Sequence, residues 1–218
     1  MSAPHPAKGP PQRIAIEGAY VRLEPIGPEH VPSLYEAIQT GDGRERFAFL
    51  FETAPESEAD LADYVRRASA TDDPLVFAVV DRGSGRAEGR QALMRIVPEH
   101  GVIEIGSIYW GPRMARTRLA TEALYLHARY VFDELGYRRF EWKCNSRNEP
   151  SRAAAQRFGF SFEGIFRQHM IQKGQNRDTA WFAMLDSDWP RLRAEYERWL
   201  DPANFDEAGQ QKSRLRFG

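Results

Sequence analysis

Between Glu104 and Ala123 the chain reads EIGSIYWGPRMARTRLATEA, which is a strand-like segment, a Gly-Pro turn, an arginine-laden loop and the start of a helix. Backbone N–H groups at a helix start have no intrahelical partner and lie at the positive end of the macrodipole, so an anion laid there is stabilised without a dedicated side chain. Arg113, Arg116 and Arg118 crowd the same turn and can add charge-assisted donors to a phosphate. The competing reading is that they only solvate a loop. Glu104 is the other suggestive group. By alternation it shares a face with Gly106, Ile108 and Trp110, and a carboxylate directed to one side of a largely apolar strand is a candidate base. It can equally be an ion-paired residue beside the His100-Gly101 turn.

A second constellation runs from Trp142 to Phe160, WKCNSRNEPSRAAAQRFGF. A strand ends at Asn145, Asn148 and Ser151 open a helix, and Gly159-Phe160 close it. Taken alone, Asn148 is an N-cap and Ser151 an ordinary first-turn residue. Taken with the arginine segment, the pair of blocks resembles the GNAT N-acyltransferase superfamily. Its second block falls on Asn148, Ser151, Gly159 and Phe160. Its first, Q/R-x-x-G-x-G/A, falls on Arg113 to Arg118, and Ala120-Thr121-Glu122-Ala123 is similar to the A-T-E-A of the branch containing ribosomal-protein N-terminal acetyltransferases. Arg116 and Arg118 stand where that branch normally has glycines. The resemblance spans Tyr20 to Trp189 and is strongest from Glu104 to Met184.

The resemblance implies an α/β (α+β) fold of GNAT acyl-CoA N-acyltransferase type: a mixed, mostly antiparallel sheet of about seven strands with helices on both faces. Acyl-CoA then lies where a central parallel pair, here Val102 to Trp110 and Arg138 to Asn145, splays apart. The implied co-substrate is acetyl-CoA or another acyl-CoA, without a metal. Backbone groups near Ser107 and Ile108 hold the pantetheine arm and polarise the thioester carbonyl. Arg113, Ala115, Arg116, Thr117 and Arg118, with Leu119, Ala120 and Thr121 on the first helical turn, take the pyrophosphate. Asn145 and Asn148 hold the pantetheine or the phosphates. Glu104 relays a proton from the amine, and either Ser151 returns one to the leaving thiolate or the thiolate is simply released to water. Many members use a tyrosine four residues before the Gly-Phe, where this chain has Ala155. The implied reaction is direct attack by a primary amine, of a protein or peptide N-terminus or a small molecule, in a ternary complex aligned for transfer. Phe49, Tyr109, Trp110 and Arg167 are the candidate acceptor contacts, although aromatic residues at such spacing also build cores. A non-catalytic acyl-CoA sensor or partner module is the alternative, and a homodimer is compatible with either.

Composition bounds these readings. Thirty basic and thirty-one acidic residues leave a formal charge of -1, which argues against a nucleic-acid or anionic-membrane partner. Cys144 is the only cysteine, so no internal disulfide or cysteine-rich zinc site can form, and a reducing, cytoplasmic setting is expected. No apolar run approaches bilayer length. Residues 1–17 read as a flexible Pro-rich tail, 18–201 as a single acyltransferase domain, and 202–218 as a loosely attached polar tail. The positioning elements follow from period and punctuation: a strand over 20–26, helices over 28–38 and 57–70, a hairpin of 75–81 with 90–97, a strand over 102–110 and a helix from 117 to 135 closed by Gly136. A strand over 138–145, a short helix over 150–158, a hairpin of 160–171 with 179–185 and a helix from 189 to 200 complete the chain.

Overall fold

The computed structural model describes residues 5–217. Among them eight strands form one sheet: β1 (Ile16–Glu17), β2 (Val21–Pro25), β3 (Leu75–Asp81), β4 (Arg86–Val97), β5 (Val102–Trp110), β6 (Arg139–Asn145), β7 (Ser161–Gln172) and β8 (Gln175–Leu185). Their spatial order is β1-β2-β3-β4-β5-β6-β8-β7, mostly antiparallel with one parallel pair. Five α-helices accompany them: α1 (Val31–Gln39), α2 (Glu58–Ser69), α3 (Arg118–Arg129), α4 (Glu149–Arg157) and α5 (Trp189–Leu200). The fold class is the expected one, with one strand more. The extra strand, β1, is only two residues long, too short to show a period in sequence.

The chain divides into two compact units where one domain over 18–201 was expected. The first holds residues 11–96 and 105–126; the second holds 5–10, 97–104 and 127–217. In the first, α1 buries Val31, Leu34, Ala37 and Ile38, and α2 buries Leu61, Val65 and Ala68, both at helical spacing. These side chains share a core with Val76, Ala78, Ala92 and Tyr109 of the sheet. Helix α2 starts where Ser57 and Asp60 predict: Asp60 N–H donates to Ser57 Oγ at 3.2 Å, and Ser57 N–H to Asp60 Oδ2 at 2.8 Å.

The second unit has an aromatic core. Phe140 and Trp142 of β6 pack on Phe160, Trp142 also meets Phe158, and Phe132 stacks on Trp189. Gly159 has φ +85, and a Cβ there would lie 2.8 Å from Leu192, so the Gly-Phe that closes α4 has a backbone and packing reason of its own. The turn between β7 and β8 is the two residues Lys173-Gly174 rather than the four the sequence suggested. Helix α3 passes into a π-helical turn over Tyr130–Glu134, shortening the expected α-helix.

Both tails are tied down where described. Ala7 N–H donates to Pro98 O and Lys8 N–H to Leu135 O, each at 2.9 Å, and the Tyr137 hydroxyl donates to Gly9 O. At the other end Phe205 and Leu215 are buried, and Ser213 bonds Asn204. Short polar segments can satisfy their backbone on existing elements, which composition does not reveal. Residues 1–4 of the expected tail lie outside the described residues.

His127, fully buried, is held neutral, its pKa pushed down by burial from 6.5 to about 3. The unfolded chain protonates this ring near 6.5 and the fold resists doing so. Stability is therefore complete above that pH and declines by about 1.4 kcal/mol per unit below it. His127→Leu should flatten the pH dependence of the unfolding free energy, removing about 3 kcal/mol of loss between pH 6.5 and pH 4. Urea titrations of both proteins at the two pH values check this, and equal slopes would refute it.

Candidate active site

In the first unit, the segment after β5 is fixed from below. Gly111 N–H donates to Glu88 O at 2.8 Å, and the Met114 side chain is buried beside Gly89, where a Cβ would lie 2.5 Å from its sulfur. Arg113 Nε sits 2.9 Å from both oxygens of Glu88, and its Nη1 reaches Glu36 at 3.2 Å. Two carboxylates therefore already hold the guanidinium expected to take a phosphate. Arg113 braces the loop.

Arg116 is exposed and adopts φ +65. Few residues other than glycine take this left-handed conformation, and it occurs where the resembling family writes its first glycine. The arginine thus reproduces the glycine's backbone and adds a charge. Thr117 caps α3: its Oγ1 donates to Met114 O at 2.7 Å and accepts Leu119 N–H at 3.1 Å. Arg118 lies 4.3 Å over the Tyr20 ring. Ala115 and Leu119 are half-buried, while Ala120 and Thr121 are buried, with Thr121 Oγ1 directed to Thr117 O. The first helical turn can present backbone to a ligand, but the side chains of Ala120 and Thr121 face inward.

One turn on, Glu122 accepts three backbone N–H groups, from Ala19 at 2.8 Å, Tyr20 at 2.6 Å and Val21 at 2.7 Å. Gly18 has no room for a Cβ beside it, at 2.6 Å from Glu122 Oε2. The glutamate of the A-T-E-A run is a buried staple.

On β5, Ser107 has φ +48. A left-handed residue interrupts the alternation of a strand, so the face shared by Glu104, Gly106, Ile108 and Trp110 does not continue through it. Arg90 holds this kink: Nη1 donates to Ser107 O at 2.7 Å and to Oγ at 2.6 Å, Nη2 pairs with Glu52, and the guanidinium lies 4.6 Å over Tyr64. Half-buried Ile108 follows. Tyr109 is a correction: it is buried against Phe47, its hydroxyl donates to Ala37 O at 3.1 Å, and burial pushes its pKa up. It has no surface for an acceptor. Trp110 is half-buried, its Nε1 donating to Gln91 Oε1 at 3.0 Å. Phe49 is exposed and lies off the cavity of about 380 Å³ that Phe47, Glu52, Tyr64 and Arg90 help to line.

In the second unit, Asn148 Oδ1 accepts Ser151 N–H at 3.1 Å, making Asn148 the N-cap of α4. Trp142 Nε1 donates to Ser151 Oγ at 3.0 Å, and Ser151 also hydrogen-bonds Cys144, whose thiol burial pushes up. The hydroxyl expected to return a proton to a thiolate is thus engaged with β6. Asn145 Oδ1 accepts Arg147 N–H at 3.0 Å. Glu104 is buried, but Lys143 Nζ lies 2.8 Å from it and 2.6 Å from Glu141, over the Trp181 ring. The candidate base is half of an ion pair. Arg167 is exposed on β7.

The model of the acetyltransferase (GNAT) domain matches residues 21–161, more than half of the chain. The chain belongs to the GNAT family. As a GNAT protein it is an N-acetyltransferase. It is 57% identical to a GCN5-related N-acetyltransferase from Brucella melitensis, over 97% of this chain and 96% of that one, with a TM-score of 0.94. A probable GNAT-family acetyltransferase from Chromobacterium violaceum is 38% identical, with 87% and 95% covered and a TM-score of 0.80. The microcin C7 self-immunity acetyltransferase, solved with acetyl-CoA and AMP, shares the fold at 18% identity, 77% and 93% coverage and a TM-score of 0.68. No curated protein matches the chain.

Three residues of this GNAT protein escaped sequence reasoning: Arg90, Glu52 and Lys143. Arg90 is one of several charges on its strand, with Arg86, Glu88 and Arg95, and neither it nor Glu52 is marked out by its neighbours in sequence. Among the described residues, the acidic and histidine groups close enough to hold a metal are Glu24, Glu29 and His30. His30 Nδ1 accepts Gly27 N–H at 3.0 Å and its Nε2 faces Glu24 at 3.2 Å, so both ring nitrogens are occupied. No helix among the described residues is long and apolar enough to cross a membrane.

Proposed function

We propose that the protein transfers an acetyl group from acetyl-CoA to a primary amine by direct attack. The observation that carries this is the loop before α3, where Arg116 takes the family glycine's left-handed backbone at a Thr117-capped helix start. Phosphates placed there meet first-turn N–H groups, the positive helix end and the Arg116 guanidinium. The pantetheine arm runs along the backbone around Ser107 and Ile108. There Arg90 holds Ser107 O and Oγ, and in this reading backbone N–H groups polarise the thioester carbonyl. Alignment and this polarisation supply the catalysis: the neutral amine forms the N–C bond, the C–S bond breaks, the amine's surplus proton passes to water and CoA departs to solvent as the thiolate. In this reading Ser151 seats α4, and Glu104 is a buried counter-ion.

Acetyl-CoA should raise the melting temperature, since a hundredfold excess over the dissociation constant stabilises by about 2.7 kcal/mol. Incubation with acetyl-CoA and pooled primary amines should yield products heavier by one acetyl group, together with free CoA. Arg116→Ala should weaken CoA binding about tenfold, the loss of one charge-assisted contact, while Arg113→Ala should lower stability and leave CoA affinity nearly unchanged. Absence of any melting shift with acetyl-CoA at millimolar concentration would overturn the reading.

A further inference from the structure

The cavity of about 380 Å³ in the first unit is formed by the segment before α2, one side of α2 and Arg90 of β4. It is large enough for a small molecule or a single residue. The charge at its inner end is the Arg90 guanidinium, which is almost wholly buried and spent on protein partners: Ser107 O and Oγ, Glu52 Oε1 and the Tyr64 ring. It has little left for an anion. Glu52 is different. One carboxylate oxygen pairs with Arg90, its side chain remains 32% exposed, and its second oxygen meets no hydrogen-bond partner among the described residues. The Tyr64 hydroxyl likewise has none. Phe47, Pro55 and Leu61 give the cavity apolar lining, and Glu56, Asp60 and Arg67 line it as well.

A cavity lined by both acceptor oxygens and hydrocarbon suits a ligand with N–H donors on an apolar body. We propose that it is the acceptor pocket, that its ligand is a primary ammonium compound with an aromatic or aliphatic body, and that Glu52 binds the ammonium group, which gives up a proton to water before the neutral amine attacks. The assignment rests on the acetyl-transfer reading for its meaning. One guanidinium joins Glu52 to Ser107, so an amine at Glu52 is held beside the kink of β5 along which that reading runs the thioester. Arg90 is the positioning residue that sets this separation.

The probes are three compounds that share a benzyl group: benzylamine, benzyl alcohol and phenylacetate, titrated into the full chain by calorimetry. Benzylamine should bind at least tenfold more tightly than either of the others. Glu52→Gln should abolish that preference. Ala54→Trp, which fills the cavity from its half-exposed wall, should abolish benzylamine binding, and both variants should keep the acetyl-CoA melting shift. Phenylacetate binding as tightly as benzylamine would assign the pocket to an anion through Arg67 at its rim and overturn the proposal, as would undiminished benzylamine binding by Ala54→Trp. The two readings separate cleanly: selective amine binding without an acetyl-CoA shift would refute acetyl transfer and keep the amine site, and the reverse would keep transfer and remove this pocket from it.

Discussion

Replacing Lys143 by Met should lower the unfolding free energy by about 3–5 kcal/mol. Its ammonium lies 2.8 Å from Glu104 and 2.6 Å from Glu141, and all three side chains are less than a tenth exposed. Removing it takes from Glu104 the cation 2.8 Å away, while Glu141 keeps Arg139 at 2.6 Å, so the lost compensation for desolvation falls chiefly on Glu104. The Lys143 hydrocarbon stem and its position 3.9 Å over Trp181 add little by comparison, since Met keeps most of that packing. Replacing all three charges together, as Glu104→Leu, Glu141→Leu and Lys143→Met, should recover much of the loss. Urea unfolding of the single and triple variants measures both. If the single variant were as stable as the parent, the ion cluster would be hydrated and Glu104 would regain its standing as a lone base.

Glu122→Ala should cost about 3 kcal/mol or more, because three backbone N–H groups lose a charged acceptor together and hydrogen bonds to charged groups are worth about 1.5–3 kcal/mol each without being additive. For a chain of this size that is a fall of roughly 6–12 °C in melting temperature. Glu122→Gln, which retains one acceptor oxygen, should fall between the variant and the parent. Gly18→Ala should also destabilise, since its Cβ would enter the same carboxylate. A melting temperature within a degree or two of the parent for Glu122→Ala would show that water replaces the carboxylate.

Elements were legible where one local signal dominated. The Ser57-Asp60 box placed the start of α2, Gly136 closed the α3 segment, and the Trp189 to Leu200 helix appears at the predicted limits. The family was legible because the arginine loop and the Asn148 block are each contiguous in sequence and match its pattern. Partners were harder to see. On β6, Phe140, Trp142 and Cys144 alternate with Glu141, Lys143 and Asn145. Glu141 and Lys143 are nearly as buried as Phe140, because ion pairing lets a charged face lose its water.

The sequence by itself determined the family, the strand-loop-helix that can receive phosphate and the capping of α2 and α4, since each depends on residues a few positions apart whose backbone preferences add. Tertiary structure decided which charges are free to act. Arg113 is spent on Glu36 and Glu88, Glu104 on Lys143, and Ser151 on Trp142, while Glu52 keeps an oxygen for a ligand. Most of these partners lie tens of residues apart, and an ion pair across such a separation leaves no period or motif in the chain. Only the folded geometry states whether a charge has been neutralised or remains available for chemistry.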